Sequence, residues 1–298
     1  MNKGDSVMLK VQYELHPDPA PIYPWSLYEL DVCEEYQKLL KEKSDDERAF
    51  QEFFERNPSF LPGAFELRNL SGHLPHLQCL ITQPEIGASH VRKPDFLWLS
   101  QDSLTFVPVF IEIERPSKLT FTQTGKTSAD FTQAMDQIIE WKSILNKPEN
   151  QLAFFQKYNL PKDLTNKVFK PQFILIYGRR EEYEGNEYLT RKRSELQSED
   201  ITIMSYDRLS PRYDSRSMLC AQVSNTTGNT QYKIVTIPPT FELDAALASD
   251  YKEYTGFMEA IDRMQYTTPQ RKDFLKVRFP YWRDIGPTLH CFDGNTKE

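Results

Sequence analysis

The stretch VFIEIERPSK, residues 109–118, determines how the rest of the sequence is interpreted. Its first half is typical of a β-strand, yet it places Glu112 and Glu114 only two residues apart. Side chains at positions i and i+2 of a strand point to the same face. Two carboxylates about 6–7 Å apart repel each other by roughly 2–3 kcal/mol at an effective dielectric constant near 20. A strand that served only packing would avoid this repulsion, so we expect a positively charged partner here.

The composition is that of a globular protein. The chain has 298 residues, of which 39% are hydrophobic and 27% charged, which is enough for one large or two modest domains with a core. The cysteines at positions 33, 79, 220 and 291 show no paired spacing, which favours free thiols in a reducing compartment. The sequence shows neither a signal peptide nor a membrane-spanning run. We therefore expect a cytoplasmic protein without a membrane partner.

The net charge of −7 does not exclude nucleic acid as a partner. Most of the excess acidic side chains lie within residues 1–60, and the remainder of the chain is close to neutral. That remainder can carry local basic patches, and such patches decide nucleic-acid binding more directly than the total charge does.

The N-terminal part of the chain predicts a strand at 7–15, a proline-rich connection and then a helix. The sequence SDDE (44–47) is a capping box, with Ser44 as the N-cap and Glu47 reaching back to it. The pair Asn57-Pro58 is expected to end this helix. Three strand-like runs follow at 77–87, 93–100 and 105–114.

A second helix is expected from Ser128 to Leu145, because apolar residues recur there at helical spacing. Its apolar stripe consists of Phe131, Ala134, Ile138, Trp141 and Leu145. A strand at 171–178, a basic helix around 188–198 and a strand at 201–209 come next. This order predicts an α/β fold centred on one mixed sheet. Further strands and helices are expected from about residue 213. The chain is therefore divided into an N-terminal segment (1–43), a core (44–212) and a C-terminal extension (213–298).

A third acidic residue, Asp95, is expected to lie near the paired glutamates. It lies near the start of one strand-like run, and Glu112 lies in the next. Neighbouring antiparallel strands lie about 4.8 Å apart, so these two carboxylates can converge on one point. Converging carboxylates are the hard oxygen ligands that Mg²⁺ prefers. The positive partner predicted above is therefore a divalent cation.

The pattern Pro94-Asp95…Glu112-Ile113-Glu114 resembles the PD-(D/E)XK nuclease motif. A longer ordered set of segments, including FFERNPSFL (53–61), RKPDFLWL (92–99), ILIYGRR (174–180) and MSYDRL (204–209), resembles the Shedu family of anti-phage defence nucleases. The resemblance covers roughly residues 45 to 283. It implies a restriction-endonuclease-like core, a mixed central sheet flanked by helices, with a C-terminal β/α extension.

The resemblance also implies roles for individual residues. Asp95 and Glu112 would bind Mg²⁺, for which Mn²⁺ can substitute, and Glu114 occupies the position of the motif's lysine. This departure makes Glu114 a general base or a third metal ligand. Lys118 or Lys126 could instead reach back into the site. Gln133 or Gln137, on the second helix, resembles the glutamine that this fold directs at its active centre.

Several basic residues are candidates for contacts with DNA phosphates. They are Arg115, Lys126, Arg179, Arg180, Arg191, Lys192 and Arg193. Ordinary surface charge explains the last five equally well. The aromatic segment RFPYWRD (278–284) and the C-terminal strands are candidates for subunit contacts, because cutting two DNA strands requires two neighbouring active sites. We therefore expect a homo-oligomer, either a dimer or a tetramer.

The sequence thus favours a metal-dependent DNA endonuclease or nickase of anti-phage defence. The main alternative is a nuclease-fold protein that binds DNA ends or a partner without cutting, because the motif's lysine is replaced. A structural scaffold is a third class. A zinc site at His73, His76 and Cys79 lacks a second ligand pair, and GKTS (125–128) lacks the earlier glycine of a phosphate-binding loop.

Overall fold

The computed structural model describes residues 13–65, 73–88, 91–226, 229–243, 250–285 and 297–298. Its helices are α1 (Trp25–Glu42), α2 (Glu47–Arg56), α3 (Ala129–Leu145), α4 (Pro148–Lys157), α5 (Lys162–Thr165), α6 (Glu187–Glu195), α7 (Phe257–Arg263) and α8 (Pro269–Ile285). Its strands are β1 (Cys79–Thr82), β2 (Phe96–Gln101), β3 (Thr105–Ile113), β4 (Val168–Phe169), β5 (Gln172–Ile176), β6 (Ile201–Met204), β7 (Leu219–Thr226), β8 (Asn229–Thr236) and β9 (Tyr254–Thr255).

In this described part of the chain the strands form one mixed sheet, in the order β6-β5-β3-β2-β1-β7-β8-β9, with β4 beside β3. The long central strand β3 is buried along its whole length. It pairs antiparallel with β2, where Phe96 lies opposite Ile111, and parallel with β5, where Ile174 lies beside Ile111. The predicted α/β class with a mixed sheet flanked by helices is confirmed.

Helices cover both faces of the sheet. On one face, α1 and α2 pack their aromatic residues against β2, β3 and β5, with Phe50, Phe53 and Phe54 fully buried. On the other face, α3 packs through the predicted stripe from Phe131 to Leu145, and all five stripe residues are buried. Ser128 caps α3 by accepting a hydrogen bond from the Phe131 N–H. None of the helices in these residues is long and apolar enough to span a bilayer.

The C-terminal strands extend the same sheet beyond β1. β7 pairs in parallel with β1, joining Leu80 to Cys220, and β8 pairs antiparallel with β7. The aromatic residues Phe279 and Trp282 of α8 are at most 1% exposed and belong to the main core. These two side chains therefore stabilise the fold and are not available at the surface for a second subunit.

Several local features differ from the sequence expectations. Helix α1 was not predicted, although Tyr28, Val32, Tyr36 and Leu40 recur every four residues and are buried. Helices α4 and α5 were also missed, and the predicted strand at 7–15 lies largely outside the described residues. In the C-terminal extension, where further strands and helices were expected, the short strand β9 precedes α7.

The predicted N-cap of α2 is wrong. The helix begins at Glu47, and the Asp46 side chain accepts a hydrogen bond from the Ala49 N–H at 3.2 Å. Ser44 instead contributes its backbone carbonyl, which accepts a hydrogen bond from the Ser117 N–H. Glu47 is therefore released from the capping box that its spacing suggested.

Replacing the true cap should destabilise the protein, whereas replacing the predicted one should not. We expect Asp46→Ala to lower the free energy of unfolding by about 1 kcal/mol, because the Ala49 N–H loses its acceptor. Ser44→Ala is the matched control, since its backbone carbonyl is retained. Urea denaturation monitored by circular dichroism measures both. Equal losses in the two variants would contradict the cap assignment.

Candidate active site at the ends of β2 and β3

The structure places Asp95 and Glu112 opposite each other on adjacent strands. Asp95 immediately precedes β2, and continuing the pairing of Phe96 with Ile111 by one step brings it to Glu112. Directly opposed residues of an antiparallel pair share a face. Their strand neighbours Leu97 and Phe110 pack in the cluster that contains α3, so both carboxylates lie on the α3 face of the sheet.

Asp95 is held by hydrogen bonds from both neighbouring strands. Its Oδ2 accepts from the Ile113 N–H at 2.8 Å, just beyond Glu112. Its Oδ1 accepts from Nε2 of Gln83 at 3.3 Å, and its backbone carbonyl accepts from the Gln83 N–H. Asp95 retains some surface exposure, but these bonds direct its carboxylate inward. These hydrogen bonds therefore fix the orientation of the Asp95 carboxylate.

Glu112 is a buried carboxylate with an unsatisfied oxygen. The residue is only 9% exposed, and among the described residues no hydrogen-bond donor reaches its Oε2. Buried charged groups normally have a counter-ion or a full set of hydrogen bonds, because an unpaired one costs several kcal/mol. The carboxylate therefore needs a proton or a cation that the polypeptide itself does not supply.

Burial raises the affinity of both carboxyl groups for protons. Burial, opposed by the Ile113 N–H bond, raises the pKa of Asp95 to about 7. Burial and then the charge of Asp95 raise the pKa of Glu112 well above its usual range. The two groups are also hydrogen-bonded to each other. Near neutral pH this pair therefore retains a proton unless a cation replaces it.

Glu114, in contrast, is paired with a positively charged side chain. It lies just beyond the end of β3, where its N–H bonds to the Ile176 carbonyl and its own carbonyl accepts a 2.6 Å hydrogen bond from the Tyr206 hydroxyl. Its carboxylate forms an ion pair with Lys118, and both side chains are largely buried. Within residues 109–118, the repulsion between Glu112 and Glu114 is thus relieved by a positive charge at Glu114 only.

A tight turn brings Lys118 back to Glu114. The Lys118 N–H bonds to the Arg115 carbonyl at 3.0 Å, and the turn rests on Gly178, which has a φ of +64°. A Cβ at position 178 would come within 2.7 Å of the Lys118 carbonyl oxygen. Glycine is therefore required there both by conformation and by close approach.

Glu47 joins this group from the first turn of α2. Burial and then the charge of Glu114 raise the pKa of Glu47, while Lys118 and Arg115 oppose the shift. Glu47 also contributes to the raised pKa values of Asp95 and Glu112. Four carboxylates therefore influence one another, and Lys118 is in direct contact with one of them, Glu114.

The donor set fits a magnesium ion bound by two carboxylates. In the described part of the chain, no three His, Cys, Asp or Glu side chains are arranged to hold a metal ion. The three-ligand set of Asp95, Glu112 and Glu114 is thus not assembled here, because Glu114 is paired with Lys118. Mg²⁺ commonly uses one or two carboxylates together with water and phosphate oxygens. The unsatisfied Oε2 of Glu112 beside Asp95 meets that requirement.

The glutamines of α3 are not drawn into the site. Gln133 is exposed and Gln137 partly exposed, and neither makes a hydrogen bond to the carboxylates within the described residues. Gln51 of α2 is more deeply placed: its Nε2 donates to Thr82 Oγ1 at 3.0 Å, and its Oε1 is buried without a partner.

The predicted basic residues fall into two groups. Arg193 is 6% exposed, and its guanidinium donates to Thr120 Oγ1 and the Tyr177 carbonyl. The assignment of Arg193 to a DNA surface is therefore corrected: it anchors the loop after β3. Arg179 is paired with Asp207, and Lys192 donates to the Gly125 carbonyl. The exposed side chains are Lys126, Arg180 and Arg191, and Arg115 is partly exposed.

The fold and the site together define an α/β protein with an acidic centre at the ends of two adjacent strands. A family model described as Shedu protein SduA, C-terminal, matches residues 44–210, more than half of the chain. The protein therefore belongs to the Shedu family of anti-phage defence proteins. The match runs from before α2 to beyond β6 and includes Asp95, Glu112, Glu114 and Lys118. No curated protein matches the chain.

Removing the charge of Glu112 should stabilise the metal-free protein at alkaline pH. Carboxyls whose pKa is raised by folding stabilise most at acid pH, and this contribution is lost as pH rises from the unfolded pKa, about 4, through the raised pKa of the folded state. We expect the free energy of unfolding of Glu112→Gln to exceed that of the wild type by about 1–3 kcal/mol near pH 8 and to equal it near pH 5.

Urea denaturation in the presence of a chelator measures this difference. Glu52→Gln is the control, because Glu52 is a surface carboxylate of α2. Its loss should change the free energy of unfolding by the same amount near pH 5 and near pH 8. A Glu112→Gln variant that is less stable than the wild type near pH 8 would show that the carboxylate is satisfied by a partner within the chain.

Proposed function

We propose that this protein is a metal-dependent DNA endonuclease or nickase that acts in anti-phage defence. The observation that carries the proposal is the buried pair of Asp95 and Glu112, which faces one side of the sheet with an unsatisfied oxygen. Membership of the Shedu family supports the biological setting.

Asp95 and Glu112 would hold Mg²⁺, and Mn²⁺ can substitute for it. When bound, such an ion lowers the pKa of a coordinated water and stabilises charge on a phosphodiester. The chain's own contribution is preorganisation: the Ile113 N–H and Gln83 fix Asp95, and strand pairing fixes Glu112. These contacts fix both carboxylates in position, and such preorganisation favours catalysis.

Glu114 and Lys118 would act on the attacking water. Glu114 is a carboxylate within the same group of charges and can accept the proton of the water as a general base. Lys118 provides an ammonium group where the motif's lysine is missing, and it can stabilise negative charge on the phosphate. Both side chains are anchored through the backbone, Glu114 by Tyr206 and Lys118 by its turn on Gly178.

DNA would be held through its phosphates by the exposed basic side chains near the site. Arg115 lies between Glu114 and Lys118 in sequence, and Arg180 follows the end of β5. Lys126 and Arg191 extend this surface beside the loop that Lys192 and Arg193 secure. Cleavage of both strands would require two such sites, so a homo-oligomer, dimer or tetramer, is part of the proposal.

A DNA-binding protein that does not cut is the second candidate. The observation that favours it is the ion pair of Glu114 with Lys118, which occupies both groups in the structure. If that pair does not open, neither a base nor a free ammonium is available to the reaction. Such a protein would still bind DNA with a strong salt dependence.

Loss of either central carboxylate should abolish cleavage. We expect Asp95→Asn and Glu112→Gln to reduce nicking of supercoiled plasmid in Mg²⁺ by about 100-fold or more, because each removes a metal ligand. Agarose gels with Mg²⁺, Mn²⁺ and a chelator give the readout, and Glu52→Gln is the control that should cut normally. Metal-dependent cutting by both variants would refute the assignment, and DNA binding without cutting by the wild type would favour the second candidate.

The roles of Glu114 and Lys118 can be separated by single substitutions. If Glu114 is the base, Glu114→Gln should lower the single-turnover rate by about 10²–10⁴-fold with little change in DNA affinity. Lys118→Met should also lower the rate, because the ammonium is lost. An unchanged rate in Glu114→Gln would exclude it as the base and assign the water to Lys118 or Lys126.

A further inference from the structure

An exposed aromatic ring lies beside the hairpin that follows the turn carrying Lys118. Residues 121–127 form this hairpin, in which Phe121 pairs with Thr127. Tyr188, in the first turn of α6, is 65% exposed. Within the described residues its hydroxyl makes no hydrogen bond. The fold therefore leaves most of this ring in contact with solvent.

The hairpin and α6 hold the ring in place from one side. A Cβ on Gly125 would lie 3.3 Å from Cε1 of Tyr188, and the φ of +75° at Gly125 also favours glycine. Lys192, one turn later on α6, donates to the Gly125 carbonyl at 2.6 Å, and its Nζ lies 5.9 Å from the centroid of the Tyr188 ring. The ring is thus positioned against the hairpin tip and remains open on its other side.

Positive charges without a carboxylate partner accompany this ring. Lys126 is exposed and Lys192 partly exposed, and within the described residues neither forms an ion pair with a carboxylate. Residues 119–129 contain no acidic side chain. The carboxylate of Glu187, beside Tyr188, is paired with Arg191 at 3.5 Å. The surface therefore combines an open aromatic ring with two uncompensated cations.

This surface adjoins the acidic centre. Lys118, which contacts Glu114, precedes Phe121 by three residues, and this limits the distance between their Cα atoms to about 11 Å. Nζ of Lys192 lies 5.6 Å from the centroid of the Phe121 ring and 5.9 Å from that of Tyr188. One strand of nucleic acid is therefore long enough to contact Tyr188 and the acidic centre together.

Anchoring of the hairpin explains only part of this arrangement. The hydrogen bonds from Lys192 to Gly125 and from Arg193 to Thr120 hold the hairpin without any contribution from an aromatic ring. A single exposed aromatic residue is ordinary on a protein surface. An aromatic ring that is held in place beside uncompensated cations is, however, the combination with which proteins bind single-stranded nucleic acid.

We propose that Tyr188 stacks on an unpaired base of single-stranded DNA, and that Lys126 and Lys192 bind the adjoining phosphates. This inference rests on the proposed action on DNA and adds the form of the substrate: the strand is unpaired where it crosses the 121–127 hairpin. In an intact duplex only the edges of the bases are accessible in the grooves. The open side of Tyr188 therefore has a stacking partner only where the strands are separated.

Fluorescence anisotropy with a labelled oligothymidylate of about 20 nucleotides measures this interaction, in a chelator so that nothing is cut. Tyr188→Leu should weaken binding by about tenfold because stacking is lost. Tyr188→Phe should bind like the wild type, because the ring is retained. A blunt, GC-rich duplex of the same length should bind all three proteins equally. Unchanged oligothymidylate affinity in Tyr188→Leu, or an equal loss for oligothymidylate and duplex, would overturn the proposal.

Failure of this inference can be told apart from failure of the proposed function. Plasmid nicking by the wild type together with full oligothymidylate binding by Tyr188→Leu would refute the stacking role alone. Stacking that depends on Tyr188 in a protein that does not nick would support this inference and refute the nuclease. A wild type that binds neither form of DNA would overturn both.

The phosphate contacts have a test of their own. Lys126→Gln should lower the slope of log affinity against log salt concentration for the oligothymidylate by about 0.7, because one phosphate contact is lost. Lys147→Gln, an exposed position just beyond the other end of α3, should leave the slope unchanged. Circular dichroism verifies that each variant is folded. Equal slopes in a folded Lys126→Gln variant and the wild type would refute the placement of the strand.

Discussion

The close placement of two buried carboxyl groups, Asp95 and Glu112, on adjacent strands is the constraint on which the acidic centre depends. Two buried carboxyls opposite each other cannot both be charged without a counter-ion, and burial makes their repulsion stronger than it would be in water. The strand register fixes both groups, so neither can retreat to solvent. The protein must hold a proton or a cation there, and this requirement gives the site its chemistry.

The neighbouring glutamate shows how the chain relieves the same problem internally. Glu114 lies two residues after Glu112, but a short turn returns Lys118 to it. That turn depends on Gly178, at the end of a different strand, and the Tyr206 hydroxyl secures the Glu114 backbone. The polypeptide therefore neutralises the charge of Glu114 but not that of Glu112.

The sequence predicted the features that follow from regular periodicity. The α3 stripe from Phe131 to Leu145 and the opposed acidic residues of β2 and β3 were correctly located, because helical and strand spacing determine them. Helix α1 was missed because its buried residues include two tyrosines within a charged sequence. The burial of Arg193 could not be predicted, since it depends on tertiary contacts with segments distant in sequence. The return of Lys118 to the site was expected only as an alternative to Lys126, because the turn that brings it to Glu114 rests on the distant Gly178.

The parallel pairing of β1 with β7 has a consequence for how the chain is made. The partner β2 begins at Phe96, soon after β1 ends at Thr82, but the other neighbour of β1 is Leu219–Thr226, which is synthesised far later. Until that segment leaves the ribosome, one side of β1 presents unpaired backbone groups beside Leu80 and Ile81, an edge at which other chains can add. The family-matched stretch ends at residue 210. A fragment that ends there would lack β7, so the edge of β1 would stay unpaired.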